Sequence, residues 1–421
     1  MAKIAYIGIP AHGHTNPTLP VMKELRERGH EVLYYNTASF QTKVEPTGVD
    51  FRPYPEPMPT EREISEAMNE LIDASRMLAK ISERLTPFMV AEIAREQPDV
   101  ILYDSVAMWG YIAARIHHIP HICFLTHFVL DGSQRSMGFG TLAQFFWRAL
   151  PHVPELMRWK QRMVKRYGKM ANGKPVAGGI TEYGDLNLVF TSQDFHPENG
   201  FVANNPRFRF VGASINPTAR DGIGQNSDFP FDQLTDQKRV YISLGTITHL
   251  DTAFYQAAFE AFADYPAQFI LSAGKNTDLA ALGAIPANFI VRSYVPQLAI
   301  LQQVNAFITH GGMNSVHEGL YYGVPEVVVP HQMEQLLNSK RVAETGVGIM
   351  LGDRYPYGRV TPAELRAALD QVLNDPAYRQ RAKAMGETLK AAGGYRRAAD
   401  EIEILIDGQT VSEPILYQVT G

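Results

Sequence analysis

The chain has 421 residues, of which 45% are hydrophobic and 20% charged; that is an ordinary globular composition, and the length points to roughly two to three domains. A net charge of −5, spread along the chain, argues against a nucleic-acid or anionic-membrane surface. The single cysteine, Cys123, excludes an internal disulfide and reads as a small buried hydrophobe in the apolar run 121–124.

The first apolar run predicts a strand over 3–9, too short for a signal peptide. No stretch approaches the roughly 20 apolar residues that span a bilayer, so the expected location is the cytoplasm. Asn16-Pro17 predicts a helix start, with Asn as N-cap and Pro at the first helical position, and the helix runs to Arg28. A strand over 31–35 follows Gly29. Within 60–86, Ile64, Met68, Leu71, Ile72, Leu78, Ile81 and Leu85 are spaced for one helical face. Strands over 99–103 and 121–125 flank a helix over 106–116, and the Met- and aromatic-rich segment 133–170 breaks the rhythm.

A second cycle starts near residue 238. It predicts strands over 239–244, 268–272, 289–292, 306–309 and 326–329, with helices over 252–263 and 315–322. Between the cycles, 212–236 carries Pro217, Gly222, Gly224 and Pro230, a linker signal. Alternating strands and helices imply an α/β fold of two doubly wound, mainly parallel sheets whose strand ends face a shared cleft. The expected division is an N-terminal domain over 1–212, a linker over 213–236, and a C-terminal domain over 237–395. A last helix and tail, 396–421, could pack back on the N-terminal domain.

The most informative stretch is Asn305-Ala-Phe-Ile-Thr-His-Gly-Gly-Met-Asn-Ser-Val-His-Glu-Gly319. A strand ends near His310, two glycines allow close backbone approach, and a helix is predicted to start near Asn314-Ser315. Unpaired N–H groups and the positive dipole end suit a pyrophosphate there, and ligands of open α/β sheets sit beyond the strands' carboxyl ends. Ser315-x-x-Glu318 equally matches a capping box. Gly245-Thr246, after the strand over 239–244, is either a simple turn or a facing phosphate contact.

After the first strand comes Ala11-His-Gly-His-Thr-Asn-Pro17. A histidine before a helix N-terminus is disfavoured as imidazolium and so stays able to accept a proton; it could also simply satisfy loop backbone. Asp104, after the strand over 99–103, is either a helix N-cap or the orienting partner of such a base. The two uses read as competitors.

Together with Arg292-Ser-Tyr-Val-Pro-Gln297 and Val328-Val-Pro-His-Gln-Met-Glu-Gln335, these motifs resemble family 1 glycosyltransferases, the inverting GT-B enzymes with two Rossmann-like domains. The resemblance spans nearly the whole chain and is nearest to bacterial macrolide transferases. It implies a UDP-sugar donor, a small apolar hydroxylated acceptor such as a flavonoid or macrolide, and His14, the second histidine of Gly-His-x-Asn-Pro, as general base oriented by Asp104. His12 falls outside that pattern.

The donor roles follow from the same resemblance. Tyr294, where many members carry Trp, would stack on uracil. Val295 and Gln297 would hold base and ribose. His310, Gly312, Asn314 and Ser315 would hold the pyrophosphate, with Gly245 and Thr246 opposite, and Glu318 would accept from the ribose hydroxyls. Glu334 and Gln335 would bind the sugar, with Glu where Asp is more usual. For the acceptor, Met137, Phe139, Phe145 and Phe146, with Trp147, Met157 and Trp159, form either a pocket wall or ordinary core. Neither an Asp-x-Asp motif nor a Cys/His cluster of ligand spacing occurs, so no metal or other cofactor is expected. The competing readings are a GT-B epimerase or hydrolase and a non-catalytic UDP-sugar-binding protein. A monomer or weak homodimer, without nucleic-acid or membrane partners, is expected.

Overall fold

The computed structural model describes all residues except 61–62, 65–66, 68–70, 130–149, 169–182, 217–228, 246–251, 275–276, 355–356 and 409–421. The first seven strands are β1 Lys3–Ile7, β2 Glu31–Asn36, β3 Asp50–Pro53, β4 Val100–Asp104, β5 His121–Leu125, β6 Leu186–Val189 and β7 Phe208–Phe210. They form one sheet in the order β3-β2-β1-β4-β5-β6-β7, parallel throughout. The second sheet joins β8 Arg239–Ser243, β9 Gln268–Ser272, β10 Phe289–Arg292, β11 Ala306–Thr309, β12 Glu326–Val328 and β13 Gly348–Met350 in the order β10-β9-β8-β11-β12-β13, again all parallel. Two doubly wound α/β sheets, each reversing its strand order beside its first strand, make the GT-B architecture.

Among the described residues, the helices of five or more residues are α1 His12–Glu27, α2 Leu71–Glu96, α3 Met108–His117, α4 Val153–Tyr167, α5 Thr252–Phe262, α6 Gln297–Leu301, α7 Met313–Tyr321, α8 Met333–Glu344, α9 Pro362–Asn374, α10 Pro376–Ala391 and α11 Gly394–Ile406. Strand side chains alternate between faces, so each sheet is apolar on both. Ala5, Ile7, Ile101 and Tyr103 pack with Leu85 and Met89 of α2 and Trp109 of α3. Ile4, Tyr6, Val100 and Leu102 face Val21 and Leu25 of α1 and Ala398 and Ile402 of α11. The last helix therefore lies on the first sheet. Arg28 ties it down, donating to Asp400 at 2.7 Å and Glu403 at 2.6 Å.

Four boundaries differ from expectation in ways that matter for the site. Helix α1 starts at His12 with Ala11 as N-cap, not at Asn16-Pro17. The N–H groups of His14 and Thr15 both close on the Ala11 carbonyl, at 3.1 and 2.9 Å, so the two-histidine segment is the helix's first turn and Pro17 lies inside. Strand β4 runs one residue further, ending on Asp104, and α3 begins at Met108 after an extra turn. Helix α7 starts at Met313 on Gly312, so Ser315 is its third residue and the Ser315/Glu318 capping box does not form.

Candidate active site

His14 comes from the first turn of α1, which follows β1, and Asp104 from the end of β4; β1 and β4 are adjacent strands at the point where the first sheet reverses order. His14 Nδ1 lies 2.8 Å from Asp104 Oδ2, and Thr126 Oγ1, after β5, lies 3.1 Å from the same nitrogen. Asp104 is fully buried, and its other oxygen accepts the Val106 N–H at 3.0 Å. With Nδ1 held, Nε2 is the nitrogen left to take a proton. Burial disfavours the imidazolium, but the Asp104 charge, its hydrogen bond and the charge of Glu334 outweigh it and raise the His14 pKa.

Across the cleft, the loops after β8 and β11 meet at the corresponding reversal of the second sheet. The His310 imidazole fills the space between Gly245 and Gly312. A Cβ on Gly245 would lie 2.7 Å from its Cε1, one on Gly312 2.5 Å from its Nε2, and Gly245 has φ of 81°. Both positions therefore need glycine. Burial, with a smaller effect from His331, lowers the His310 pKa to about 3, so the ring is neutral and has one N–H to donate. The N-terminus of α7 opens directly after it.

Behind this loop, Tyr241 donates its hydroxyl to Gln297 Oε1 at 3.2 Å, and Gln297 Nε2 donates to Glu318 Oε2 at 2.7 Å, with Ser315 Oγ at 3.5 Å. Glu318 is buried at 3% exposure, and Val295 is buried too, while Tyr294 presents an exposed ring. Gln335 is buried and accepts the N–H groups of His331 and Gln332 through Oε1, at 2.8 and 3.2 Å, capping α8 from within. Glu334 is near enough for its charge to act on His14, and Asn314 Nδ2 donates to the Gly13 carbonyl at 2.8 Å. Donor loop and base turn therefore face each other.

Thr246 and the wall candidates Met137, Phe139, Phe145, Phe146 and Trp147 lie outside the described residues. Trp159 is buried and packs against Ala79, Met108, Ile112 and Met163, while Met157 is exposed. A small apolar cleft that the sequence reading missed is lined by Ile9, Pro10, Ile64, Met77, Leu78, Ile81 and Trp109, and Ile9-Pro10 lead straight into the His12–His14 turn. The helical spacing of Ile64, Leu78 and Ile81 was its visible signal. A Ser105–His127 pair also went unpredicted: Ser105 Oγ lies 3.0 Å from His127 Nε2, and Nδ1 donates to the Phe128 carbonyl at 2.9 Å. His12 lies 2.8 Å from Lys43 Nζ and packs beside Phe40. Among the described residues, no three His, Cys, Asp or Glu side chains are grouped to hold a metal ion, and no helix is long and apolar enough to cross a membrane.

Two parallel sheets, with a histidine–carboxylate pair at one reversal point and a Gly-rich helix start at the other, define a GT-B sugar-transferring enzyme. The profile for the C-terminal domain of erythromycin biosynthesis protein CIII-like proteins matches residues 258–401. An uncharacterized UDP-glucosyltransferase of Bacillus subtilis (strain 168), YojK, is 32% identical over 415 residues, covering 98% of this chain and 99% of that protein. The NDP-glycosyltransferase YjiC of the same organism is 33% identical over 410 residues, with 97% and 99% covered. The crystal structure of the kitacinnamycin glycosyltransferase matches with a TM-score of 0.77 at 29% identity, covering 96% of this chain and 98% of that one. The chain belongs to the family 1 GT-B glycosyltransferases and is a glycosyltransferase of the natural-product type.

Proposed function

We propose that the protein is an inverting O-glycosyltransferase that moves a hexose, glucose being the expected one, from a UDP-sugar to a hydroxyl of a small apolar acceptor. The observation that carries this reading is the 2.8 Å contact of His14 with buried Asp104, opposite a neutral His310 and the N-terminus of α7. His14 Nε2 takes the acceptor O–H proton, and Asp104 stabilises the resulting imidazolium. The acceptor oxygen forms its bond to the anomeric carbon as the carbon–phosphate-oxygen bond breaks, and UDP leaves with that electron pair. Its charge meets the N–H groups of Gly312, Asn314 and Ser315 and the His310 N–H, with Gly245 opposite and Thr246 assigned to the same oxygens; this is electrostatic stabilisation by fixed dipoles and requires no metal.

Tyr294 offers a ring for uracil, Val295 and Gln297 a seat for base and ribose, and Glu318 an acceptor for the ribose diol. Glu334 and Gln335 are assigned to the sugar. The flavonoid, phenol or macrolide type of acceptor is assigned from the likeness to natural-product transferases; the apolar cleft at Ile9-Pro10, with about 10 Å³ of room, is too small to hold it. We assign the activity to the cytoplasm and to a monomer or weak homodimer. The test is UDP release from UDP-glucose with a panel of phenols and macrolides, with and without excess EDTA. Acceptor-dependent release that survives EDTA is expected; release that needs no acceptor, or returns only with Mg²⁺ or Mn²⁺, counts against the reading.

A further inference from the structure

Helix α1 contains Pro17. Proline has no N–H to give the carbonyl four residues earlier, so Gly13 loses its regular helical partner. The donor that reaches this carbonyl belongs to the other half of the protein: Asn314 Nδ2, 2.8 Å away and 301 residues on in sequence. Gly13 immediately precedes His14, and Asn314 is the second residue of α7. We infer that Asn314 is a positioning residue, whose amide replaces the missing Pro17 N–H and so sets the distance between the base and the donor loop.

The inference rests on the transferase reading of His14 and adds to the phosphate contact assigned to Asn314. An amide has two N–H bonds and a carbonyl oxygen, so one N–H on Gly13 leaves the rest for a ligand. Other contacts join the two halves: His317 Nε2 with Thr191 Oγ1 at 3.0 Å, and Arg341 donating to the carbonyls of Asp194 and Phe195 at 2.8 Å each. Those involve residues 191–195, remote in sequence from the turn that carries the base. They hold the halves together, whereas the Asn314 bond aligns His14 itself. The Glu334 charge felt by His14 comes from the same half as Asn314, so alignment of that half reaches the base by a second route.

A double-mutant cycle tests this. Pro17→Ala supplies an N–H that competes for the Gly13 carbonyl within the helix, so it loosens the tie from the other side and should itself lower kcat. Asn314→Ala and Asn314→Asp should each lower kcat about five- to tenfold, the worth of one hydrogen bond, beyond any change in UDP affinity measured by calorimetry. In the Pro17→Ala background the same changes should cost less than about twofold. Equal costs in both backgrounds, or weaker UDP binding with unchanged kcat, would make Asn314 a phosphate contact alone and overturn the inference. Spin labels placed one on each sheet provide an arm without turnover. Asn314→Ala should broaden their distance distribution in the ligand-free protein, and an unchanged distribution overturns the tie. Failure of the transferase reading has a different signature, namely wild-type protein without acceptor-dependent UDP release.

Discussion

Asp104 shares its carboxylate between two tasks: Oδ2 lies 2.8 Å from His14 Nδ1, and Oδ1 accepts the Val106 N–H at 3.0 Å. A carboxylate bonded at both ends and fully buried cannot rotate away, so strand β4 dictates the orientation of the imidazole. The turn-capping use, which looks like a rival to catalysis in the sequence, holds the catalytic group still.

Asp104→Asn should therefore shift a pH profile as well as lower a rate. Asn can keep the Val106 bond through its oxygen, but it then turns an N–H toward His14 Nδ1. That favours a lone pair on Nδ1 and a proton on Nε2, the wrong tautomer for a base. In the wild type, burial lowers the His14 pKa and the Asp104 charge and hydrogen bond more than restore it. Activity should accordingly rise with pH as His14 loses its proton, with a midpoint above the ordinary histidine value. The stability that the pair adds runs the other way: present below the unfolded histidine pKa, it is lost as pH rises through the folded one. In Asp104→Asn the activity midpoint should move to lower pH while the plateau falls. Following kcat/KM from about pH 5 to 9 reads both, and an unmoved midpoint would assign the acidic limb to another group.

Glu318→Ala should weaken UDP binding while barely changing the melting temperature. The side chain caps nothing in α7; it accepts from Gln297, which Tyr241 holds from below. Its loss frees Gln297 as well as removing the proposed ribose acceptor. A lost cap would cost ~1 kcal/mol of stability, a clear drop in thermal unfolding. If calorimetry finds unchanged UDP affinity alongside lower melting, Glu318 serves the fold and not the nucleotide.

These two residues show what the sequence could and could not convey. The sheets were legible because buried parallel strands are continuous apolar runs, and eight of them, such as His121–Leu125 and Ala306–Thr309, lie within a residue of expectation at each end. Pro17 misled because proline marks a helix start more often than a helix interior, and only the bonds to the Ala11 carbonyl reveal the earlier turn. Ser105–His127 stayed hidden because neither residue belongs to a motif; the pairing of β4 with β5 is what makes them neighbours. Gln335 was legible as a motif member but not as the cap of α8, since a Gln-x-x-Gln cap looks like any polar turn.

Glu326→Leu should stabilise the protein. The side chain is fully buried in β12 against Gly319, and neither carboxylate oxygen has a hydrogen-bond partner among the described residues. Burial pushes its pKa well above the carboxylate range, so the folded state keeps a proton that the unfolded chain releases near neutral pH. Below the unfolded carboxyl pKa both states are protonated and the group is neutral in this balance. As pH rises past that value stability falls, until the folded pKa is reached. Leucine removes the dependence and an unpaired buried polar group, whose cost is about 1–3 kcal/mol. Urea unfolding at acid and neutral pH should show a gain larger at neutral pH. An equal loss at both would mean that the acid is paired.

The base assignment carries the sharpest expectation. His14→Ala should abolish most transfer to an alcohol or weakly acidic phenol while UDP-sugar affinity stays nearly intact, because the base acts only as the proton leaves. General-base contributions are about 10²–10⁴-fold, so the loss should reach at least two orders of magnitude. Thr126 and Asp104 would remain in place around the vacated imidazole, which keeps the comparison chemical and not structural. A thiol acceptor, already partly ionised, needs less help and should be spared in proportion to its acidity. Folded variant and wild type are compared with both acceptor types at saturating donor. Oxygen transfer within a few-fold of wild type would dismiss His14 and turn attention to His12, whose ring sits two residues earlier beside Lys43.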